Sequence, residues 1–180
     1  MKKCFFITLL FVSMNLYSQS RLYRPVSEYE NQFYQKIDKN IWPDDIRNNI
    51  DSFKETLVGW VGIVEKFMID TTNEEYNIIM FYVRHHYYDW IEDFGIGNKP
   101  IRLSPDGEGY FVCNYLTRKE FDTDELTKDI IGDCIMNYGY PLYIDDDTII
   151  MSTNYLRHIV KEYVNSNWLK YGRNGFDIMK

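Results

Sequence analysis

The run Leu57-Val58-Gly59-Trp60-Val61-Gly62-Ile63-Val64-Glu65-Lys66-Phe67-Met68 decides how the chain is read. It is made of β-branched and aromatic residues and carries no helical stripe, so it predicts a strand whose side chains alternate between two faces. Alternation puts Leu57, Val61, Ile63 and Phe67 on one face, and Leu57, Val61 and Ile63 are expected to be buried together with Phe81, Val83, Phe111 and Ile149. Val58, Trp60, Val64 and Lys66 fall on the other. Gly59 and Gly62 inside a strand mark a bulge, a sharp bend or a close approach by another chain segment. A long, strongly curved first strand is the consequence.

Downstream, residues 70–75 form a polar connector and residues 76–91 are again strand-like, which predicts a hairpin. A loop rich in Gly, Pro and Asn spans 95–109, and 110–116 is a third strand. Residues 123–131 predict a short helix, with Asp124 and Glu125 near its start and Leu126 and Ile130 on one stripe. Two further strands, 134–140 and 148–152, are joined by a turn containing Pro141 and Asp145-Asp146-Asp147. Beyond them Tyr155, Leu156, Ile159, Val160, Tyr163, Val164 and Trp168 recur at helical spacing, and Gly172 stands where a C-terminal cap belongs, so a terminal helix is expected.

Upstream, Tyr29, Phe33 and Ile37 make one stripe of a helix within 21–39 that Ser27 caps. A second helix is predicted over 43–54, opened by Pro43 with Asp44 and Asp45 facing the positive end of the dipole and with Ile46, Ile50 and Phe53 on one face. The expected fold is mainly β with flanking helices. It is a five-stranded Greek-key barrel of the oligonucleotide/oligosaccharide-binding (OB) kind, with a helix between strands three and four and helices at both ends.

The run 57–64, the later Gly107-Glu108-Gly109-Tyr110-Phe111, and Gly132-Asp133 leading to Tyr138-Gly139-Tyr140-Pro141 resemble the exported barrel domain of the starvation-inducible outer-membrane lipoprotein family. The resemblance covers about half of the chain and implies an envelope-associated barrel. It implies no catalytic residues. The lipid-bearing cysteine of that family has no counterpart here, because Cys4 precedes the apolar run rather than following it.

The chain opens with Lys2 and Lys3, an apolar run from Phe5 to Val12, and a polar end at Ser18-Gln19-Ser20. This is the layout of a cleavable secretory signal, with Leu16 and Ser18 at the positions that precede a cut. The organisation expected is a signal peptide at 1–18, an N-terminal helical segment at 19–56 that packs on the barrel, and the barrel with its C-terminal helix at 57–180. The apolar run is too short to span a bilayer and no second one follows, so no transmembrane segment is expected after cleavage. The protein is expected to be exported, periplasmic or extracellular.

Loss of Lys2 and Lys3 takes the formal charge from -7 to -9. Such a surface repels phosphate backbones and anionic headgroups, so nucleic acid is not an expected partner; a cationic partner is favoured. Cys113 and Cys134 remain in an oxidising compartment, and the sequence leaves their pairing open.

No metal or cofactor is expected. His85 and His86 are adjacent on a strand and point to opposite faces, one inward and one to solvent, which prevents them from closing on one ion with His158. Asp145-Asp146-Asp147 lacks the spaced acids and glycine of a calcium loop. No Gly-x-Ser-x-Gly elbow is present, and Gly95-x-Gly97 is too short to cradle phosphate. The candidate ligand-binding residues are an aromatic stripe on the second strand, Tyr82, Arg84, His86, Tyr88 and Trp90, open to a small flat ligand or a protein unless the terminal helix covers it. The sequence thus predicts a non-enzymatic exported binding or envelope-associated domain. The alternatives are a periplasmic inhibitor or immunity-type protein that masks a basic partner site, and an enzyme with a dispersed site.

Overall fold

The structure, a computed structural model, describes residues 25–90, 101–105, 107–161, 164–165, 171–172 and 175–176. The strands expected around residues 57–68, 76–91, 110–116, 134–140 and 148–152 form as β1 (Val58–Asp70), β2 (Tyr76–His86), β5 (Tyr110–Arg118), β6 (Cys134–Asp145) and β7 (Thr148–Ile159). They close a barrel in the order β1-β2-β5-β7-β6, with β6 returning to β1. Every pairing is antiparallel except that of β5 with β7. A second sheet joins β3 (Tyr88–Trp90), β4 (Ile101–Leu103) and β8 (Val164–Asn165), while β9 (Tyr171–Gly172) and β10 (Gly175–Phe176) pair with each other.

The barrel strands are long for their register because three of them carry an extra residue. Glu65 is unmatched in β1, Leu142 in β6 and Asn154 in β7. Such bulges bend a strand and exchange the faces of all that follows. In β1 the inward residues are therefore Val58, Trp60 and Val64, then Phe67 and Ile69 after the bulge. In β7 they are Ile149 and Met151, then Leu156. The β6–β7 turn is a two-residue loop in which Asp146 (φ 42°) and Asp147 (φ 67°) are both left-handed, a conformation that matches the twist of a tight hairpin.

Two hydrophobic clusters lie on the two sides of the barrel wall. The interior holds Val58, Trp60, Val64, Ile79, Phe81, Val83, Phe111, Cys113, Ile135, Ile149 and Met151. The second lies outside β1 and β6, where Val61, Cys134, Met136, Tyr138 and Ile159 meet Tyr34 of the N-terminal helix and Ile101 and Leu103 of β4. The expected core is thus corrected for the first strand. Phe81, Val83, Phe111 and Ile149 are interior, whereas Val61 and Ile63 belong to the outer cluster; β1 is buried on both faces, so alternation alone could not choose the inner one.

Helix α1 (Glu28–Tyr34) is capped by Ser27, which accepts from the Glu30 amide at 3.1 Å. Its Phe33 ring stacks on Tyr155 at 5.8 Å and 12°, which docks the helix on the outer face of β7. Helix α2 (Pro43–Asn48) is shorter than the predicted 43–54 and passes into a 3₁₀ turn at Ile50–Ser52; Ile46, Ile50 and Phe53 plug one end of the barrel. At the other end α3 (Thr123–Thr127), between β5 and β6, contributes Leu126 and, just past its C-terminus, Ile130. Asp122 caps it, accepting from the Asp124 amide at 2.9 Å.

The expected C-terminal helix is corrected. Tyr155, Leu156 and Ile159 are part of β7, Val164 is in β8 and Gly172 in β9. Tyr163 and Trp168 lie outside the described residues, as do the predicted signal peptide at 1–18 and most of the first half of the 95–109 loop. Cys113 and Cys134 are free and buried on opposite sides of the wall.

Candidate binding face and the polar sites at the barrel ends

The structure divides the predicted aromatic stripe. Tyr82 and Arg84 stand on the open outer face of β2: Lys66 Nζ lies 4.0 Å from the Tyr82 ring centre, the Tyr82 hydroxyl is 3.7 Å from Met68 Sδ, and Arg84 Nε pairs with Glu65 Oε1 at 3.1 Å. His86 is buried instead of solvated, its Nδ1 2.6 Å from the Ser104 carbonyl. A carbonyl only accepts, so Nδ1 carries the proton. Burial lowers the His86 pKa, and the Ser104 bond partly opposes that. Tyr88 packs on the outer cluster, and the Trp90 backbone pairs with Ile101 while its side chain lies outside the described residues. The stripe is split because β2 leaves the barrel at His86 and the chain enters the second sheet at Tyr88.

What stays open is a different face. Across β2 and β5 the outward pairs are Arg84 with Tyr110, Tyr82 with Val112, Met80 with Asn114 and Ile78 with Leu116, and Met68 of β1 lies opposite Met80. Met68 is 51 % exposed, Leu116 52 % and Tyr110 44 %. Helix α1 and the second sheet pack on the β1–β6 side; on this side Met68, Tyr110 and Leu116 are exposed, Ile78, Met80 and Tyr82 are half-buried, and Val112 between them is buried. Sequence alternation located Tyr82 and Arg84; it missed Met68, Tyr110 and Leu116, because their membership depends on the Glu65 bulge and on which strands become neighbours.

At the α2 end, a polar network is built around Glu108. Gly107 rests so closely on the His85 carbonyl that a side chain there would clash with backbone, and this approach brings the Glu108 amide to His85 Nδ1 at 3.0 Å. The buried Glu108 carboxylate accepts from the Tyr87 hydroxyl and, at 2.8 Å, from the Asp44 amide at the start of α2. Arg47 ties the same corner together through the Glu108 carbonyl at 2.9 Å and the Asp147 carbonyl at 2.8 Å. His85 is enclosed by Trp42, Trp60, Tyr87 and Phe111, and among the described residues its Nε2 has no hydrogen-bond partner. Burial, with the neighbouring His86 and Arg47 charges, pushes the His85 pKa down to about 3, so the ring is neutral. Glu108 was missed in sequence because nothing in a Gly-Glu-Gly loop signals burial.

At the α3 end, Asp133 is gripped from two sides. His158 Nε2 lies 2.6 Å from its Oδ2, and the Lys161 amide donates to its Oδ1 at 3.0 Å. The loop is fixed to β1, as the Val64 amide donates to the Asp133 carbonyl at 3.0 Å and Gly132 donates to Val64 at 2.8 Å. Beside this pair a cavity of about 630 Å³ opens.

Neither thiol offers a nucleophile, since burial raises the pKa of both Cys113 and Cys134. Among the described residues no group of three or more His, Cys, Asp or Glu could hold a metal ion, and no helix is long and apolar enough to cross a membrane. The fold and these sites define a closed five-stranded β-barrel, plugged at both ends and, among the described residues, carrying exposed apolar side chains on one exterior face. No protein-family model matches the chain, and no curated protein matches it.

Proposed function

We propose that the chain is an exported, non-enzymatic binding domain on a barrel of the OB kind, and that it engages its partner through the open face of β1, β2 and β5. The barrel reading is supported by the strand order: counted along the chain, barrel strands one, two, three, five and four are neighbours, three and five are parallel, and α3 falls between three and four. Export rests on the tripartite start, and an envelope role on the resemblance carried by residues 57–64, 107–111 and 132–141. The observation that carries the binding reading is the exposed Met68, Tyr110 and Leu116 beside the half-buried Tyr82. Exposed apolar side chains with adaptable methionines, grouped on one side of the barrel around the half-buried Tyr82, are the composition of an interaction site.

The test uses the mature protein from Gln19 onward, immobilised and exposed to an envelope extract of its own host. Wild type should retain a partner that the Met68→Asp/Leu116→Asp double variant loses while keeping its melting temperature. Equal retention by both would discard the face.

A second reading, an inhibitor or immunity-type protein masking a basic site, is favoured by the acidic end of the barrel. There the β1–β2 and β5–α3 connections, joined by Lys119 Nζ to the Thr71 carbonyl at 2.7 Å, carry Glu74, Glu75, Glu120 and Asp122, and the first turn of α3 adds Asp124 and Glu125. It predicts a basic partner that is lost on Glu74→Lys/Glu75→Lys and kept by the Met68→Asp/Leu116→Asp variant.

A further inference from the structure

The cavity at the α3 end, about 630 Å³, has the size of a small-molecule site and lies apart from the open face. Its apolar lining comes from Phe67 and Ile130, which pack on the barrel interior, and from Ile131 and Val160. Its acidic lining comes from Asp129 and Asp133. Asp133, its side chain only 7 % exposed, is held by His158 and by the Lys161 amide, so its carboxylate cannot turn away to solvent.

Asp129 is held in the left-handed region at φ 56°. The segment 119–133, which supplies Thr127, Asp129, Ile130, Ile131 and Asp133 to the lining, carries six acids against Lys119 and Lys128, and Asp129 and Asp133 are the two that face the cavity. The lining thus sets Asp129 and Asp133 against Lys161, an acidic excess that favours a ligand of the opposite sign.

We propose that this cavity binds an organic cation: an ammonium or guanidinium group on a short apolar stem, the stem against Phe67 and Ile130 and the charge between Asp129 and Asp133. An anion would meet the acidic wall with Lys161 as its cationic contact among the described lining residues. A wholly apolar ligand would desolvate a fixed carboxylate and return nothing to it. The group reaches the site either on a free amine or as a lysine or arginine side chain of another protein.

The test is amide NMR of the mature protein titrated with hexylammonium, hexanol, hexanoate and the tripeptide acetyl-Leu-Lys-Leu-amide. Hexylammonium should give saturable shifts at Ile130, Ile131, Asp133 and Val160 with a dissociation constant of about 1 mM, and hexanoate should give none. Asn tolerates a left-handed backbone, so Asp129→Asn should fold normally and weaken hexylammonium by about tenfold. A tripeptide that binds tighter than hexylammonium assigns the site to a protein-borne side chain, and one that binds more weakly assigns it to a free amine; either upholds the cation site. Equal responses to hexanol or hexanoate, shifts that do not saturate, or an Asp129→Asn variant that binds as wild type would overturn it.

Discussion

The Tyr138 hydroxyl donates a 3.0 Å hydrogen bond to Glu30 Oε1, so a residue on the outside of β6 holds the buried carboxylate of α1. Glu30 Oε2 also accepts from the Val26 amide at 2.7 Å and faces Arg157 at 3.8 Å. Removing it leaves the largely buried Arg157 without this carboxylate and the helix start without its anchor. Glu30→Ala should destabilise the protein by about 3 kcal/mol in urea titration, with Glu30→Gln costing less because it keeps an acceptor. A loss of only a few tenths would show that α1 adds nothing to global stability.

His85 sets a pH dependence. Its folded pKa, about 3, lies below the ordinary 6.5, so the unfolded chain takes up a proton that the folded protein refuses. Stability is therefore full above about pH 6.5 and declines as pH falls toward 3, by up to about 1.4 kcal/mol per unit where the difference is complete. His86, also shifted down by burial, acts in the same direction. Urea midpoints between pH 7 and pH 4 should fall less steeply in His85→Phe than in wild type. Parallel slopes would mean that the ring is solvated.

Cys113 and Cys134 should behave as two inert thiols. They face opposite sides of the wall, and burial raises the pKa of each. In the mature protein Ellman's reagent should find no reactive thiol before denaturation and two afterwards, without reductant. A protein with no titratable thiol after unfolding would mean a disulfide and a different packing of β5 and β6.

A barrel of the OB kind invites the expectation of nucleic-acid binding. The β1–β2 connection carries Glu74 and Glu75 after Asp70, and the β6–β7 turn carries Asp146 and Asp147 after Asp145. Single-strand affinity needs a basic groove along the phosphates as well as rings for stacking, and Arg84 is already engaged by Glu65. Fluorescence anisotropy with mixed-sequence single strands in moderate salt should show no binding; a dissociation constant of about 1 μM would overturn the argument from charge.

The strands were legible because β-branched and aromatic runs are long and well punctuated, and α1 and α2 because Ser27 and Pro43 mark their starts. The inner face of β1 was not, since Val58 and Val61 are equally apolar and both are buried, one inside and one under α1 and β4. The terminal helix failed for a related reason. On β7 Leu156 faces inward while Tyr155 and Ile159 face the outer cluster, and a strand buried on both sides imitates helical spacing. At the sites, Tyr82 and Arg84 followed from alternation. His86 departed from its expected solvent position because the chain just past β4, at Ser104, meets it, and the Asp133–His158 pair joins residues 25 apart that only the barrel brings together.

The extra residue at Asn154 has a consequence for how this chain can change by descent. Its side chain is exposed, so exchange for another residue there costs the fold little. Loss of the codon is another matter. Every later residue of the strand would trade sides: Leu156 would go outward, Arg157 would point into an apolar interior, and at one stroke Glu30 would lose Arg157 and Asp133 would lose His158. Position 154 is thus free in spelling but not in length, and among proteins descended from a common ancestor with this one it should vary in identity without being deleted.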